Sequence, residues 1–426
     1  FAHSITGNRV NVNQLSTRYT AYTYPLMLLP ATSLMPQVTH AAEGDCQLDS
    51  GLLHAVVATA TQLTARWQQV AVIPGWIERD IATLAQQINR VAVHLDATCD
   101  SRLPLASTKQ PQPLNPQALA QPELNAVMIE ACAIYDRYFQ VERVAAMRFD
   151  TFVRQVAEST CNLLYDLPYT LLDRGQITQI VATIGAMFAT IQAKLSPVSQ
   201  STPSALSARE APATISPYHI VWQQAQVLTP AWTEQVAFYR WQIGHHFFDL
   251  CAIFCTDALH SAECAIREEA IQAGVHSLEQ AETFLRGTTA AMWYTGDFSA
   301  QFYQQIIRPS MVMPGTPAGF SGDQNADYNR MKKAKQQLKK LLRGCYGNDL
   351  VAMPPLLHRS LLRFHEADIE NDEQHLLIAA HKVGVDQSLA QKEWQAELPD
   401  LAYKQTALDA LRETAERRRR EFTPAR

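Results

Sequence analysis

The sequence contains no uninterrupted apolar run of the roughly 18–20 residues that a transmembrane helix requires. The stretch YTYPLMLLPATSLMP, near the start, is too short and is broken by proline. We expect it to form an apolar N-terminal arm that packs on the body of the protein. A basic segment followed by a signal-type apolar core is also missing. We therefore expect a cytoplasmic protein without a membrane partner.

An excess of charge of one sign is missing as well, since 36 Lys and Arg residues face 41 Asp and Glu residues. A net charge of −5 creates no field that would attract nucleic acid. Two local basic clusters, Lys332–Lys340 and Arg417–Arg420, keep a nucleic-acid-binding helical protein open as a third hypothesis. The solvated side of an amphipathic helix and a solvated helix end explain them more simply, so no nucleic-acid partner is expected.

Regular cysteine spacing is absent too. The eight cysteines are scattered, mostly inside apolar helical patterns, and predict small buried side chains in a reducing compartment rather than disulfides. Neither HExxH nor CxxC occurs, so the usual zinc sites are not expected. Two helix-spaced pairs, Cys251 with Cys255 and His260 with Cys264, remain metal candidates. We favour the interpretation that they are ordinary residues of a packed helix.

Alternating strand patterns are nearly absent, and apolar residues recur at spacings of three and four along most of the chain. The sequence therefore predicts an all-α fold without strands. Two proline-rich breaks, 101–124 and 196–217, predict loops. We accordingly divide the chain into an N-terminal helical region (1–195), a Pro/Ser-rich linker (196–217) and a C-terminal helical domain (218–426).

The segment WQIGHHFFDL places His245, Phe248 and Asp249 on one face of a helix, because they stand at i, i+3 and i+4. A histidine among aromatic side chains on a buried helix suits the wall of a cofactor pocket. A histidine that simply belongs to the packed core explains the same pattern.

The segment FYQQIIRP brings Phe302, Tyr303 and Arg308 within two helical turns, directly before a proline. A guanidinium is always charged and binds a carboxylate in bidentate fashion, so Arg308 is a candidate for holding an amino acid's carboxylate. The alternative is an arginine that caps its own helix. The Gly- and Pro-rich segment MPGTPAGFSG that follows predicts a loop that covers a ligand.

Further on, the Pro-Pro pair in VAMPPLLHR predicts the start of a helix, and His375 is predicted to open another apolar helix, with Gly384 beyond it. A neutral imidazole in an apolar helix bundle is a common heme ligand, so His375 is a candidate iron ligand. A histidine of the helix core is again the alternative.

In this order, the segments resemble the heme-dependent aromatic oxygenases: tryptophan 2,3-dioxygenase, indoleamine 2,3-dioxygenase and the pyrrolnitrin-pathway enzyme. HHFFDL is similar to their H-x-x-Y-E-L, TPAGFSG to P-A-S-G-F-Q-S, and MPPLLHR to M-P-P-x-H-R with one extra residue. FYQQIIR resembles the aromatic-rich helix that ends in arginine, with the aromatic-to-arginine spacing longer by one or more residues. His375 and Gly384 match the proximal His and the glycine nine residues on. The likeness spans residues 218–390.

The resemblance implies a helical bundle of the indoleamine/tryptophan dioxygenase type with an N-terminal helical extension, and heme b as cofactor. The expected enzyme is an oxidoreductase that inserts oxygen from O2 or peroxide into an aromatic amino acid or an indole. Its site residues would be the iron ligand His375, the substrate- or oxygen-binding His245, the carboxylate-binding Arg308, the aromatic walls Phe248, Phe302 and Tyr303, and the covering loop Gly319, Phe320 and Ser321.

Two family features are missing: the W-R pair upstream of the proximal histidine and the G-T-G-G-S loop after it. The sequence therefore supports heme binding better than it supports tryptophan as the substrate. A non-catalytic heme-binding or scaffold protein stays open as an alternative. So does a peroxide-dependent tyrosine hydroxylase, since HSAEC matches the HxxxC heme-attachment pattern of some of those enzymes. The resemblance also leaves a homo-oligomer open.

Overall fold

A computed structural model describes residues 26–28, 49–69, 76–98, 126–144, 147–195, 230–311, 322–347, 350, 352–383, 412–413 and 416. Within these residues the protein is about 88% helical, which confirms the predicted all-α class. The more specific expectation of an indoleamine/tryptophan dioxygenase bundle is not confirmed. None of the described helices is long and apolar enough to cross a membrane.

The N-terminal region contributes five helices to the described structure. They are α1 (Ser50–Gln69), α2 (Trp76–Thr98), α3 (Ala126–Tyr138), α4 (Phe149–Asp166) and α5 (Arg174–Leu195). Helix α1 packs on α5 and α2 packs on α4. Helix α4 ends where Pro168 enters a single 3₁₀ turn, because proline has no N–H to continue the helical ladder.

The C-terminal region is built around the long helix α6 (Pro230–Arg267), which packs along α7 (Ile271–Thr295). A short helical segment, α8 (residues 300–310), follows and contains a π turn at Tyr303–Ile307. Helices α9 (Ala326–Tyr346) and α10 (Pro355–Val383) complete the described part; α9 packs on α6 and α10 on α7.

Helices α6 and α7 approach closely because glycines stand where they meet. A Cβ atom on Gly244 would lie 2.8 Å from Cβ and 2.9 Å from Cα of Thr295. A Cβ atom on Gly287 would lie 2.9 Å from Sγ of Cys251. Any larger residue would push these helices apart, so the glycines set their separation.

The predicted basic helix forms as α9, capped at its start by Asn325, whose side-chain Oδ1 accepts a 2.8 Å hydrogen bond from the Tyr328 N–H. It ends at Gly347, whose φ of 85° suits glycine. The stripe predicted to be buried is largely confirmed, since Met331, Leu338 and Leu342 are buried; Leu341 is half-buried. The lysines lie on the remaining faces of the helix.

The prediction that strands are absent is wrong at one place. Leu26–Leu28 (β1) and Val141–Arg143 (β2) pair in parallel, with Leu26 opposite Val141. Segments of three residues are too short to show an alternating pattern, which is why the sequence did not reveal them. Leu26 and Leu28 are buried, so this part of the N-terminal arm does pack on the body as predicted.

One hydrophobic cluster joins the predicted N-terminal and C-terminal regions, with Leu53, Phe188, Phe254, Phe284 and Leu361 among its buried members. The proposed linker at 196–217 lies outside the described residues, as does the 101–124 loop. Four cysteines, namely Cys132, Cys161, Cys251 and Cys255, are buried free thiols, as predicted.

The Pro-Pro break opens α10 as predicted, but His375 does not open a further helix. It lies well inside α10, which runs unbroken from Pro355 to Val383. The intervening sequence ADIENDEQ contains neither glycine nor proline, so nothing in it interrupts the backbone ladder. The prediction of a helix start at His375 is therefore wrong.

Candidate functional site

An aromatic cluster lies where α3, α6 and α8 meet. Its described members are Tyr135, Tyr138, Phe139, Trp241, His245, Phe298 and Tyr303. The His245 ring stacks on Phe139, with centroids 3.8 Å apart and planes at 21°. The ring centroid of Trp241 lies 4.6 Å from that of His245 and 6.0 Å from that of Tyr303. The structure thus brings two predicted site residues, His245 and Tyr303, to the same indole ring.

The hydrogen bonding of His245 determines its tautomer. Its Nδ1 lies 2.6 Å from the backbone oxygen of Trp241, and a carbonyl can only accept, so Nδ1 carries the proton. The Nε2 atom is then left with its lone pair, and no described residue hydrogen-bonds it. Burial, helped by the neighbouring His246, lowers the pKa of His245 to about 3, although the Trp241 carbonyl works against this. His245 is therefore neutral at physiological pH, with Nε2 able to accept a proton or bind a metal.

The adjacent His246 differs in its role. Its Nε2 lies 2.6 Å from the backbone oxygen of Phe139, so Nε2–H donates and ties α6 to the end of α3. Burial lowers the pKa of His246 to about 4. The side chain is only 2% exposed, and we assign it to the packing of the fold.

Arg308, the predicted carboxylate-binding residue, is buried beside this cluster, with 3% of its surface exposed. Its Nη1 donates to Oε1 of Gln304 at 3.1 Å. Gln304 in turn donates from Nε2 to the carbonyls of Lys382 and Val383, so the end of α10 helps to position the arginine. Burial raises the pKa of Tyr303, and the positive charge of Arg308 offsets part of that rise. Arg308 and the Tyr303 hydroxyl are therefore electrostatic neighbours.

Two hydroxyl groups join α3 to α8 at the same place. Ser310 Oγ donates to the Ile307 carbonyl at 2.6 Å, so it accepts from the Tyr138 hydroxyl, 2.5 Å away. Burial raises the pKa of Tyr138 well beyond its ordinary value, although Ser310 and Trp241 favour its ionised form. Tyr138 is therefore a neutral phenol.

A buried acidic cluster lies one helical turn beyond His245, where α3, β2, α6 and α9 meet; it comprises Asp136, Arg143, Asp249, Asn325 and Asp327. Arg143 donates to both oxygens of Asp136 at 2.9 Å and to Asp327 at 2.7 Å. Asn325 Nδ2 donates to Oδ1 of Asp249 at 2.6 Å and lies 3.3 Å from the Tyr135 hydroxyl. Burial and the charge of Asp327 raise the pKa of Asp249. These two effects favour the protonated form of Asp249, although Arg143 and Asn325 work against them.

Of the remaining predicted residues, Phe248 and Phe302 are described, and neither is a member of the aromatic cluster. Phe248 shares the predicted face with His245 but packs on Tyr328 of α9, with ring centroids 5.7 Å apart. Phe302 is half-buried at the start of α8. Gly319, Phe320 and Ser321, the predicted covering loop, lie outside the described residues.

His375 is half-buried on α10, one turn from Asn371, which donates to the hydroxyls of Thr288 and Thr289 on α7. Burial lowers the pKa of His375, so this imidazole is also neutral. It makes no ring contact with the aromatic cluster among the contacts that join the described residues.

Cys251 and Cys255 follow the packed-helix interpretation, whereas His260 and Cys264 do not face the core. Burial raises the pKa of Cys251 and raises that of Cys255 to about 12, which disfavours the thiolate that a metal needs. His260 lies 3.9 Å from Glu263, and Cys264 is exposed at the end of α6. No group of three or more metal-binding side chains occurs among the described residues.

Sequence reasoning missed Tyr138, Phe139 and Trp241. The spacing of Tyr135, Tyr138 and Phe139 at i, i+3 and i+4 shows that they share a face of α3. Trp241 stands four residues before His245, so it lies directly beneath it on α6. What no pattern revealed is that these two faces meet, since α3 and α6 are about 100 residues apart.

Comparison with known proteins assigns the chain to a family. The family model described as "SfmD 3-methyl-L-tyrosine peroxygenase" matches residues 57–360, which is more than half of the chain. The chain therefore belongs to this family of peroxygenases. Heme iron, the expected cofactor, agrees with this assignment.

Two individual proteins can be compared directly. The 3-methyl-L-tyrosine peroxygenase of Streptomyces lavendulae is 33% identical over 92 residues, which cover 21% of this chain and 24% of that protein. The match thus spans about a quarter of the length of this relative. A crystal structure of reduced SfmD, soaked with sodium hydrosulfite, is 19% identical and covers 82% of this chain and 98% of its own, with a TM-score of 0.43.

These comparisons bear on the family that the motifs were found to resemble. Membership of the tryptophan and indoleamine dioxygenase superfamily is not confirmed, and neither tryptophan nor indole gains support. The activity that names the matching family is a tyrosine peroxygenase, which is nearer to the peroxide-dependent alternative raised by the HxxxC pattern than to a dioxygenase. The short motifs agreed with the dioxygenases in order but were too brief to separate one helical heme family from another.

Proposed function

We propose that this protein is a heme-dependent peroxygenase that hydroxylates the phenol ring of a tyrosine-type amino acid. The reaction balances as ArH + H2O2 → ArOH + H2O. Membership of the peroxygenase family supports the reaction class. The observation that supports the proposal most directly is the state of His245. It is a buried neutral imidazole whose Nδ1–H is fixed by a hydrogen bond and whose Nε2 lone pair is not used by any described residue.

The residues of this site fit heme. An imidazole that ligates iron is neutral and usually donates its other N–H to a backbone carbonyl or a carboxylate, which orients the ring and raises its basicity. His245 meets both conditions through its 2.6 Å contact with the Trp241 carbonyl. When bound, heme would supply the activation of peroxide and the transfer of oxygen.

Between the two candidate ligands we favour His245 over His375. Both imidazoles are neutral, but only for His245 do the described residues include a hydrogen bond that fixes the tautomer. The aromatic rings around His245 would also exclude water. His375, the ligand implied by the dioxygenase resemblance, remains the second candidate. If it holds the iron, Nε2 of His245 would accept a hydrogen bond from the substrate's ring hydroxyl.

The chain's other contributions are binding and orientation. Arg308 would hold the substrate's carboxylate, since a buried guanidinium pairs best with a planar anion. Tyr303 and Phe302 would line the space next to it, and Phe248 would form a more distant wall. The predicted loop Gly319–Ser321 would cover the ligands; it lies outside the described residues.

Reconstitution with heme tests the proposal. Wild-type protein should show a Soret band that shifts on addition of cyanide. We expect His245→Ala to lose or strongly shift this band, and His246→Ala, the matched control, to retain it. If His375→Ala loses the band and His245→Ala retains it, the iron ligand is His375. A wild-type protein without a Soret band would refute heme binding.

Turnover separates an enzyme from a non-catalytic heme-binding protein. Heme-loaded protein, peroxide and 3-methyl-L-tyrosine or L-tyrosine should give a product heavier by one oxygen atom. Under anaerobic conditions peroxide should still support the reaction, because it supplies the oxygen. Product formed only with O2 and a reductant would favour the dioxygenase-like expectation, and no product at all would favour the binding protein.

A further inference from the structure

The indole N–H of Trp241 is buried without a hydrogen-bond partner. The indole nitrogen can only donate, so no alternative tautomer or rotation satisfies it. Leaving such a donor unpaired costs stability, which is why buried Trp N–H groups usually find an acceptor. Trp293 on α7 is typical, because its Nε1 donates to Oε1 of Gln374 at 3.0 Å. Trp241 is therefore an exception that calls for an acceptor supplied by a ligand.

The ring of Trp241 is held in place on several sides. His245 and Phe139 pack on it with ring centroids 4.6 Å and 6.1 Å away, and Tyr303 and Phe298 lie at 6.0 Å and 6.3 Å. A donor fixed in this way loses little conformational entropy when it binds. The N–H is thus preorganised rather than a group that would turn to find a partner.

Polar groups converge on the edge of this indole. Trp241 lies close enough to the Tyr138 hydroxyl to lower the pKa of that phenol, yet its N–H makes no hydrogen bond to any described residue. The Tyr138 hydroxyl is in turn an electrostatic neighbour of Tyr303, and Tyr303 of Arg308. Ser310, bonded to Tyr138, is two residues from Arg308 on α8. The buried guanidinium of Arg308 and the unpaired N–H of Trp241 therefore lie in the same small region.

We propose that Trp241 Nε1–H and the Arg308 guanidinium together form a carboxylate-binding site, with Trp241 as its specificity-determining donor. This inference rests on the proposed function for the identity of the ligand. A carboxylate is the acceptor that fits, because its two oxygens offer lone pairs to the indole N–H and to a guanidinium N–H at the same time. Within the proposed reaction that carboxylate comes from one of two sources, the α-carboxylate of the amino-acid substrate or a propionate of heme.

The variant Trp241→Phe tests the proposal, since it removes the N–H and keeps an aromatic ring. Trp293→Phe is the matched control, because its N–H has a partner inside the protein. Calorimetry would measure binding of L-tyrosine and of tyramine, which lacks only the carboxylate. A second arm would compare heme with heme dimethyl ester by absorbance titration. Thermal midpoints would verify that both variants fold.

If the substrate supplies the carboxylate, Trp241→Phe should weaken L-tyrosine binding about 10-fold and leave tyramine binding unchanged. If heme supplies it, heme binding should weaken by a similar factor and binding of the diester should not. Equal losses for L-tyrosine and tyramine would overturn the proposal, since Trp241 would then serve the ring hydroxyl. So would affinities that match those of Trp293→Phe in both arms.

These experiments distinguish failure of the carboxylate site from failure of the proposed peroxygenase function. Wild-type protein that binds L-tyrosine but no heme would refute the peroxygenase and leave the L-tyrosine arm decisive. Wild-type protein that binds neither would overturn both inferences. Loss of the Soret band in His245→Ala, with the Trp241→Phe affinities unchanged, would support heme binding and refute the carboxylate site.

Discussion

Asn325 donates a 2.6 Å hydrogen bond from Nδ2 to Oδ1 of Asp249, and this bond ties the N-terminal cap of α9 to the middle of α6. The amide orientation is fixed because Oδ1 of Asn325 already accepts from the Tyr328 N–H. The second carboxyl oxygen of Asp249, Oδ2, is buried and has no hydrogen-bond partner. The protonated state of Asp249 therefore has consequences for stability.

Asp249→Asn should stabilise the protein increasingly as pH rises. Burial raises the pKa of Asp249 in the fold, whereas in the unfolded chain it ionises near 3.9. The stability of the wild type is therefore full below about pH 4 and falls as pH rises toward the folded-state pKa. An amide does not ionise, so the variant escapes this loss. Thermal midpoints at pH 4.5, 6 and 7.5 should diverge, with the variant higher by a few degrees at pH 7.5.

Asp297→Asn is the variant that should have the opposite effect on stability. Asp297 Oδ2 lies 2.8 Å from Nη1 of buried Arg240, so neutralising it should destabilise the protein. If Asp249→Asn also lowers the midpoint at pH 7.5, Asp249 is ionised in the fold and the assignment fails.

Arg143→Leu should be severely destabilising. The substitution leaves Asp136 and Asp327 buried without their cation, and breaking a buried ion pair in this way costs about 3–5 kcal/mol. Arg363→Leu is the matched control, because the side chains of Arg363 and its partner Glu279 are 44% and 46% exposed and such pairs contribute about 0–1 kcal/mol. Urea unfolding of both variants gives the two values. Equal losses of unfolding free energy would mean that the buried ion pairs of Arg143 contribute no more to stability than an exposed pair.

Gly244→Ala and Gly344→Ala should change stability in opposite directions. A methyl group on Gly244 would collide with the backbone of Thr295, and forcing α6 from α7 should cost about 2 kcal/mol or more. Gly344 lies in α9 with nothing within 4 Å of an added Cβ, so alanine should stabilise by about 0.5–1 kcal/mol. Thermal unfolding measures both. A neutral Gly244→Ala would show that the two helices separate easily.

If the substrate rather than heme supplies the carboxylate that Arg308 holds, Arg308→Ala should weaken amino-acid binding more than heme binding. A loss of about 10–100-fold in L-tyrosine affinity is expected from the strength of a charge-assisted pair. Calorimetry with L-tyrosine and absorbance titration with heme measure the two affinities. Gln301→Ala, an exposed change on the same short segment, is the control. Unchanged L-tyrosine affinity would rule out the clamp.

Local patterns predicted the helices well, because apolar spacing and proline breaks act within a few residues. The start of α10 at Pro355 and the buried stripe of α9 follow from the sequence alone. The strand pair β1–β2 does not, since it joins residues more than 110 positions apart through three-residue segments. The continuation of α10 through His375 also follows from the sequence, since no glycine or proline interrupts it, although a new helix was predicted to begin there.

Only the part of the candidate site that α6 and α8 contribute could be predicted from the sequence. Residue type and spacing selected His245, Tyr303 and Arg308, but the tautomer of His245 depends on the distance to a carbonyl. The partner face of α3 is brought to α6 by tertiary packing, which one sequence does not encode in any short pattern. The unpaired Trp241 N–H is likewise visible only when every neighbour is in place.

The π turn at Tyr303–Ile307 determines how Arg308 is oriented relative to the aromatic residues before it. A π turn absorbs one additional residue without ending the helix, and so it rotates everything that follows by about 100° relative to a regular helix. Deleting Gln305 would restore regular winding and turn Arg308 away from the aromatic cluster while preserving composition and helicity. An inserted residue, rather than a substituted one, thus sets the direction in which the arginine points.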